Sequence, residues 1–170
     1  VPLEEGFKKL YNMKDDEIEY AANNYSKLYS QKGKEMFTLY DGITQTLQEL
    51  KKSGCKLAIA TQKHHMFTTD MLDVYNLGDM FDAVCATDVN TNLDKSDLLL
   101  KACNLTGMSV EDSILIGDSD VDAEGAQIVG MDFAAALYGW GFKTREEAEK
   151  YRCVTCFDTP ADIYLKLSLI

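Results

Sequence analysis

The sequence predicts an α/β protein in which a parallel β-sheet carries helices on both faces. Five short apolar runs of strand length alternate with segments of helical periodicity from about residue 43 onward. Residues 4 to about 37 have helical periodicity and no strand pattern. The 170 residues, 46% of them hydrophobic, suffice for one compact core with a small appended subdomain.

The first region predicts a pair of amphipathic helices. Asp15 is placed to cap the second helix at its N-terminus. Apolar side chains then recur at spacings of three and four residues, at Ile18, Ala21, Ala22, Tyr25, Leu28 and Tyr29. Two interpretations stay open, an ordinary helical hairpin and a lid over a site.

The second region predicts helices and strands in alternation. Helix 43–52 ends at Ser53-Gly54, a common C-terminal stop. The predicted strands are 57–61, 83–87, 114–117, 133–137 and 153–157, and the first and third are expected to be buried. The further predicted helices are 65–75, 95–104, 121–129, 144–150 and 160–168.

Polar residues follow three of these strands. Ligands of parallel α/β sheets bind beyond the carboxyl ends of the strands, so these residues are expected to converge. They are Thr61, Gln62 and Lys63 after the first strand, Thr87 and Asp88 after the second with Lys95 nearby, and Asp118 after the third.

The loop DSDVDAEG, residues 118–125, carries four carboxylates within seven residues. Asp118, Asp120 and Asp122 occupy positions 1, 3 and 5 of an apparent EF-hand loop. Position 6 is Ala123 instead of Gly, and position 12 is Val129 instead of Glu. The loop also follows a strand, whereas an EF-hand loop follows a helix, so a calcium loop is rejected.

The spacing of Asp118 and Asp122 suits one hard cation, because residues four apart share a face of a helix. The alternative is a solvated turn with acidic residues at a helix N-terminus, which accounts for Asp120 and Glu124. Lys95 and Thr61 near such a cation outline a pocket for phosphate oxygens.

Composition limits the partners and the compartment. The net charge of −11 excludes bulk electrostatic binding to nucleic acid or to an anionic membrane. A small phosphorylated metabolite held by a few placed cations remains compatible with that charge. The odd number of cysteines, five, indicates buried thiols in a reducing cytoplasm. The C-x-x-C pair 153–156 lies in an apolar run and is interpreted as part of a strand.

Three segments resemble a known family. LAIATQK, then Lys95, then LIGDSDVDAEGA resemble motifs II, III and IV of the haloacid dehalogenase (HAD) superfamily. The flanking sequence is similar to its phosphoglycolate phosphatase-like branch over essentially the whole chain. The resemblance implies a HAD-like Rossmannoid core over residues 40–170, a partial helical cap over residues 1–39, and a Mg²⁺-dependent phosphatase acting on a phosphoglycolate-like ester or a sugar phosphate.

The resemblance also implies roles for the motif residues. Thr61 and Lys95 would be catalytic and, with Gln62, would bind the substrate's phosphoryl group. Asp118 would be a ligand of Mg²⁺, and Asp122 would support the metal directly or through water. The sequence departs from the branch at Ser96, which stands where Pro is usual, and at Gln62 and His64.

The family's nucleophile motif, D-x-D-G-T, does not precede residue 40. In the family its strand lies between those of motifs II and IV, so the sheet is expected to have a gap with unpaired backbone on both sides. The aspartyl-phosphate would then form on an Asp upstream of Val1, and residues 1–170 alone are expected to be inactive. Two alternatives remain: a non-catalytic binding module or pseudo-phosphatase, and another reaction on this fold, such as carbon–halogen hydrolysis or phosphoryl isomerisation.

Overall fold

The computed structural model describes residues 7–8, 11–32, 37–88 and 93–167. Its helices are α1 (Asp15–Lys32), α2 (Ile43–Lys52), α3 (His65–Val74), α4 (Lys95–Thr106), α5 (Asp120–Val129), α6 (Arg145–Ala148) and α7 (Pro160–Leu167). Its strands are β1 (Ala58–His64), β2 (Ala83–Thr87), β3 (Ile114–Gly117), β4 (Asp132–Ala136) and β5 (Cys153–Phe157). This alternation confirms the predicted α/β class.

The five strands form two parallel sheets. One has the order β1-β2, and the other has the order β3-β4-β5. Within the described residues, β1 and β3 each pair on one side only. The arrangement agrees with a gap between the strands of motifs II and IV.

A cavity of about 600 Å³ separates the unpaired edges of β1 and β3. Its lining is mainly apolar and includes residues 57–60 and 114–116, with side chains from α2 and α4. The prediction that these two strands are buried is therefore wrong. Both are only partly buried, because each faces the cavity where a neighbouring strand would otherwise cover it.

The continuous core lies on β4. Phe133, Ala134 and Ala135 are at most 2% exposed, and α5 packs over this strand through Ala126. Phe157 of β5 is fully buried on the α2 and α7 side. Each Phe side chain buried in this way contributes about 1.5–3 kcal/mol to the free energy of unfolding. This core holds β3 and α5, the two elements that carry the acidic loop.

Helix α1 packs against α3 through aromatic side chains. The ring of Tyr29 lies 4.6 Å from that of Phe67 and 5.7 Å from that of Tyr25. The second helix of the predicted pair is thus confirmed. Asp15 is its first residue and not its predicted N-cap, because the carbonyl oxygen of Lys14 accepts the N–H of Ile18. The first helix falls largely outside the described residues, and the domain division at residues 39 and 40 stays a prediction. None of the described helices is long and apolar enough to cross a membrane.

Candidate functional site

Lys95 connects β1 to the first turn of α5. It is the first residue of α4, whose N-cap Asp94 forms a capping box with Asp97. Its ammonium donates to the carbonyl oxygen of Ala60 at 2.8 Å and lies 2.8 Å from Oδ1 of Asp122. The structure therefore brings three predicted site regions together: the residue before Thr61, Lys95 and the acidic loop.

Asp122 is fully engaged by the protein. Its Oδ2 accepts a hydrogen bond from Oγ of Ser119 at 2.7 Å, and from the backbone N–H groups of Asp118 and Ser119 at 3.2 Å. Burial raises its pKa, but the charge of Lys95 and the hydrogen bonds from Lys95 and Ser119 outweigh that effect. The net result is a pKa below the usual value, which keeps the carboxylate ionised.

Asp118 is held by the loop that follows β4. Its Oδ2 accepts the backbone N–H of Trp140 at 2.6 Å and that of Gly141 at 3.2 Å. Its carbonyl oxygen accepts the N–H of Phe142 at 2.6 Å. None of the hydrogen bonds or ion pairs within the described part of the chain engages its Oδ1. That oxygen is oriented yet available for a ligand.

Four glycines allow this close packing around Lys95, Asp118 and Asp122: Gly117, Gly125, Gly139 and Gly141. A Cβ built on Gly125 would overlap Cγ of Lys95, and one built on Gly139 would overlap Cβ of Asp118. By contrast, a Cβ on Gly78 would meet no atom within 4 Å. The positions of the lysine and the aspartate thus depend on neighbours without side chains.

The prediction that the first strand ends at Thr61 is wrong: β1 continues to His64, so Thr61 and Gln62 lie within its second half. Oγ of Thr61 accepts the backbone N–H of Lys63 at 3.1 Å. The carbonyl oxygen of Gln62 accepts the hydroxyl of Thr87 at 2.9 Å, which extends the contact with β2. No acceptor among the described residues takes the hydroxyl proton of Thr61. The predicted role of the Gln62 side chain stays a prediction.

The donor set suits a hard cation only in part. Oδ1 of Asp118 is a carboxylate oxygen of the kind that Mg²⁺ prefers. Both oxygens of Asp122 already contact Lys95 and Ser119, which favours an indirect role for Asp122. Within the described ranges, no three His, Cys, Asp or Glu side chains could hold a metal together. Metal binding at Asp118 and Asp122 therefore stays a prediction, and a full site requires a further ligand.

Sequence reasoning missed several groups that shape the site. It did not find the backbone N–H groups of Trp140 and Gly141, although glycines on both sides of Trp140 were a signal of close backbone approach. It also missed the direct pairing of Lys95 with Asp122. Residues 27 positions apart on separate helices give no periodic signal for such a pair.

Known proteins similar to this chain were found by sequence and by structure. The family model described as haloacid dehalogenase-like hydrolase matches residues 1–136. Pyrophosphatase PpaX of Bacillus cereus (strain AH820) is 29% identical over 167 residues, which cover 98% of this chain and 75% of that protein. Phosphoglycolate phosphatase of Aquifex aeolicus (strain VF5) is 32% identical over 102 residues, covering 59% of this chain and 48% of that protein.

The fold is similar to that of solved proteins. A predicted phosphatase from Clostridium acetobutylicum aligns with a TM-score of 0.90 and 26% identity, over 99% of this chain and 78% of that one. A haloacid dehalogenase-like hydrolase from Streptococcus pneumoniae aligns with a TM-score of 0.87 and 25% identity, over 98% and 77%. Both similarities extend over nearly all of this chain.

Proposed function

Because the chain belongs to the haloacid dehalogenase-like hydrolase family, we propose that it is a Mg²⁺-dependent phosphatase acting on a small phosphomonoester. The observation that carries the proposal is the position of Lys95, whose ammonium contacts both Ala60 and Asp122. This buried cation contacts the residue before Thr61 and a carboxylate that is itself bonded to the backbone N–H of Asp118. Similarity to a pyrophosphatase and to a phosphoglycolate phosphatase supports phosphate chemistry.

Lys95 and Thr61 would bind the phosphoryl oxygens. A lysine ammonium has three donors, and two of them contact Ala60 and Asp122, so one remains for a phosphate oxygen. The Thr61 hydroxyl would donate to a second oxygen. Fixed donors that need no rearrangement stabilise the charge that spreads over these oxygens during transfer.

Asp118 would hold Mg²⁺ through Oδ1, and Asp122 would act indirectly by fixing Lys95 and Ser119. When bound, the cation supplies positive charge that neutralises the phosphoryl oxygens. The backbone N–H groups of Trp140 and Gly141 orient the Asp118 carboxylate for this contact. Their donation to Oδ2 leaves Oδ1 as the ligand atom.

The nucleophile would be an Asp from a segment upstream of Val1. A strand placed in the 600 Å³ cavity would pair with the free edges of β1 and β3. Its carboxyl end would then lie between Thr61 and Asp118. The aspartate oxygen would attack phosphorus as the bond to the ester oxygen breaks, and the second Asp of the D-x-D-G-T motif would give that oxygen a proton. The same Asp would then take a proton from the water that attacks the aspartyl-phosphate, which releases inorganic phosphate and frees the nucleophile.

The test uses the gene product with all residues that precede Val1 in its reading frame. Phosphate release from a panel of small phosphate esters is measured with and without Mg²⁺. The proposal requires activity that depends on Mg²⁺ and falls by at least about a hundredfold in Lys95→Ala and in Asp118→Asn. Full activity in either variant would refute the site. A reading frame without a D-x-D-G-T segment, together with an inactive product, would favour the non-catalytic alternative.

A further inference from the structure

Lys63 is a half-buried cation in an acidic chain, and its described ammonium contacts are to a neutral residue. Its Nζ donates to the hydroxyl of Tyr29 at 2.8 Å and lies 4.9 Å from the centre of that ring. No carboxylate of the described residues lies within ion-pair distance of it. Six other lysines do pair with a carboxylate, namely Lys8, Lys51, Lys52, Lys56, Lys95 and Lys166.

The location of Lys63 connects it to the proposed phosphoryl site. Its backbone N–H donates to Oγ of Thr61 at 3.1 Å, so it lies two residues beyond that threonine at the carboxyl end of β1. Its side chain extends to Tyr29 on α1. Lys63 therefore links helix α1 to the part of β1 that carries Thr61.

The surroundings hold the ammonium in place and limit its hydration. Tyr29 packs on Phe67 and stacks on Tyr25, and its hydroxyl donates to Sδ of Met71 at 3.6 Å. The Tyr29 hydroxyl thus donates its proton to the sulfur of Met71 and accepts a hydrogen bond from the Lys63 ammonium. A charge beside such an aromatic wall is less screened than one in bulk water, so an anion gains more from approaching it. Only one of the three ammonium donors is used by Tyr29.

We propose that Lys63 is a specificity-determining residue that binds a second anionic group, a carboxylate or a phosphate, on the leaving portion of the substrate. The inference rests on the proposed phosphatase function, because it takes Thr61 as the site of the transferring phosphoryl group. An anion a few atoms from that group would accept a hydrogen bond from the Lys63 ammonium. A sugar phosphate, whose leaving portion is neutral, lacks that contact.

The experiment compares two esters of similar size in the complete gene product. Phosphoglycolate carries a carboxylate on its leaving portion, and 2-hydroxyethyl phosphate carries a neutral hydroxyl. Lys63→Met is expected to lower kcat/KM for phosphoglycolate about tenfold to a hundredfold, since a hydrogen bond to a charged group is lost. The value for 2-hydroxyethyl phosphate is expected to change by less than about threefold.

Two further variants serve as controls. Lys63→Arg keeps the positive charge and is expected to retain the preference for phosphoglycolate. Lys52→Met removes an exposed lysine that pairs with Glu49 at the end of α2. It is expected to leave kcat/KM unchanged for both esters. An equal loss on both esters in Lys63→Met, or no loss on either, overturns the inference.

A binding measurement separates this inference from the proposed function. Calorimetric titration without Mg²⁺, so that the ester is not hydrolysed, gives the dissociation constants of phosphoglycolate and of inorganic phosphate for wild type and Lys63→Met. If Lys63→Met weakens the binding of phosphoglycolate but not that of inorganic phosphate, the role of Lys63 is supported. This result would hold even if no ester is hydrolysed and the proposed activity fails. Wild-type protein that binds phosphoglycolate no more tightly than phosphate overturns the inference, whether or not esters are hydrolysed.

Discussion

The ammonium of Lys95 lies 2.8 Å from Oδ1 of Asp122, and the two side chains are only 11% and 12% exposed. This pair joins the first residue of α4 to the first turn of α5, and through Ala60 it also reaches β1. It therefore connects the two separate sheets at the edge where the proposed phosphoryl site lies. The stability of that edge and its chemistry depend on the same lysine.

Lys95→Met is expected to destabilise the protein by about 3–5 kcal/mol, because it leaves the Asp122 charge buried without its partner. Lys95→Met combined with Asp122→Asn is expected to recover most of this loss, since the amide keeps an acceptor for Ser119 and carries no charge. Urea denaturation gives the free energy of unfolding of the single and the double variant. Lys52→Met, which removes an exposed pair, is the control and should change stability little. A double variant no more stable than the single one would contradict the explanation.

Stability is expected to fall in acid partly through Asp122. Its pKa in the folded protein is lower than in the unfolded chain, where a carboxyl has a pKa of about 3.9. Its contribution is therefore present above about pH 4 and is lost as the pH falls through the folded value. The difference in free energy of unfolding between wild type and Asp122→Asn, followed from pH 6 downward, should shrink below about pH 4. A difference that stays constant below about pH 4 would show that protonation of Asp122 does not contribute to the loss of stability in acid.

Gly125→Ala is expected to reduce phosphatase activity even though alanine favours helix formation. Alanine is about 1 kcal/mol better than glycine inside a helix, so without a clash this change in α5 would stabilise the protein. The new Cβ would instead overlap the side chain of Lys95. Gly78→Ala, where the added Cβ meets nothing, is the matched control. Unchanged kcat/KM in Gly125→Ala would mean that the lysine tolerates displacement.

The free edges of β1 and β3 give a prediction about backbone protection. If a segment upstream of Val1 forms a strand between them, adding it should slow amide hydrogen exchange at both edges, because new inter-strand bonds form. Mass spectrometry of peptides covering 57–61 and 114–117 would compare the two forms of the chain. Peptides from β5, which lies on the far side of β4, are the internal control. If each edge exchanges at the same rate with and without the upstream segment, no strand forms in the cavity and the prediction is wrong.

Much of the secondary structure follows from short-range pattern. The bounds of β2, β3 and β5 match the prediction, because apolar runs there stop at polar residues or glycine. β1 extends to His64 beyond its predicted end, because Thr87 bonds to Gln62 across the strands. A short 3-10 helix at Gly78–Met80 has no periodic signal and was not predicted.

The site was predictable as a set of residues but not as a set of contacts. The order of elements predicts Thr61 on β1, Lys95 at the start of α4 and Asp118 directly after β3. Whether Asp122 contacts Lys95 depends on how α4 and α5 pack, which no local pattern encodes. The Trp140 and Gly141 N–H groups belong to the backbone, so no pattern of side chains predicts that they bind Asp118.

The most direct test of the proposed function is phosphate release by the complete gene product with Mg²⁺, measured for wild type, Lys95→Ala and Asp118→Asn. Circular dichroism checks that each variant is folded. The proposed site predicts that wild type hydrolyses a small phosphomonoester, and that each variant lowers kcat/KM by at least about a hundredfold. Wild-type kcat/KM in folded Lys95→Ala or Asp118→Asn would contradict the site.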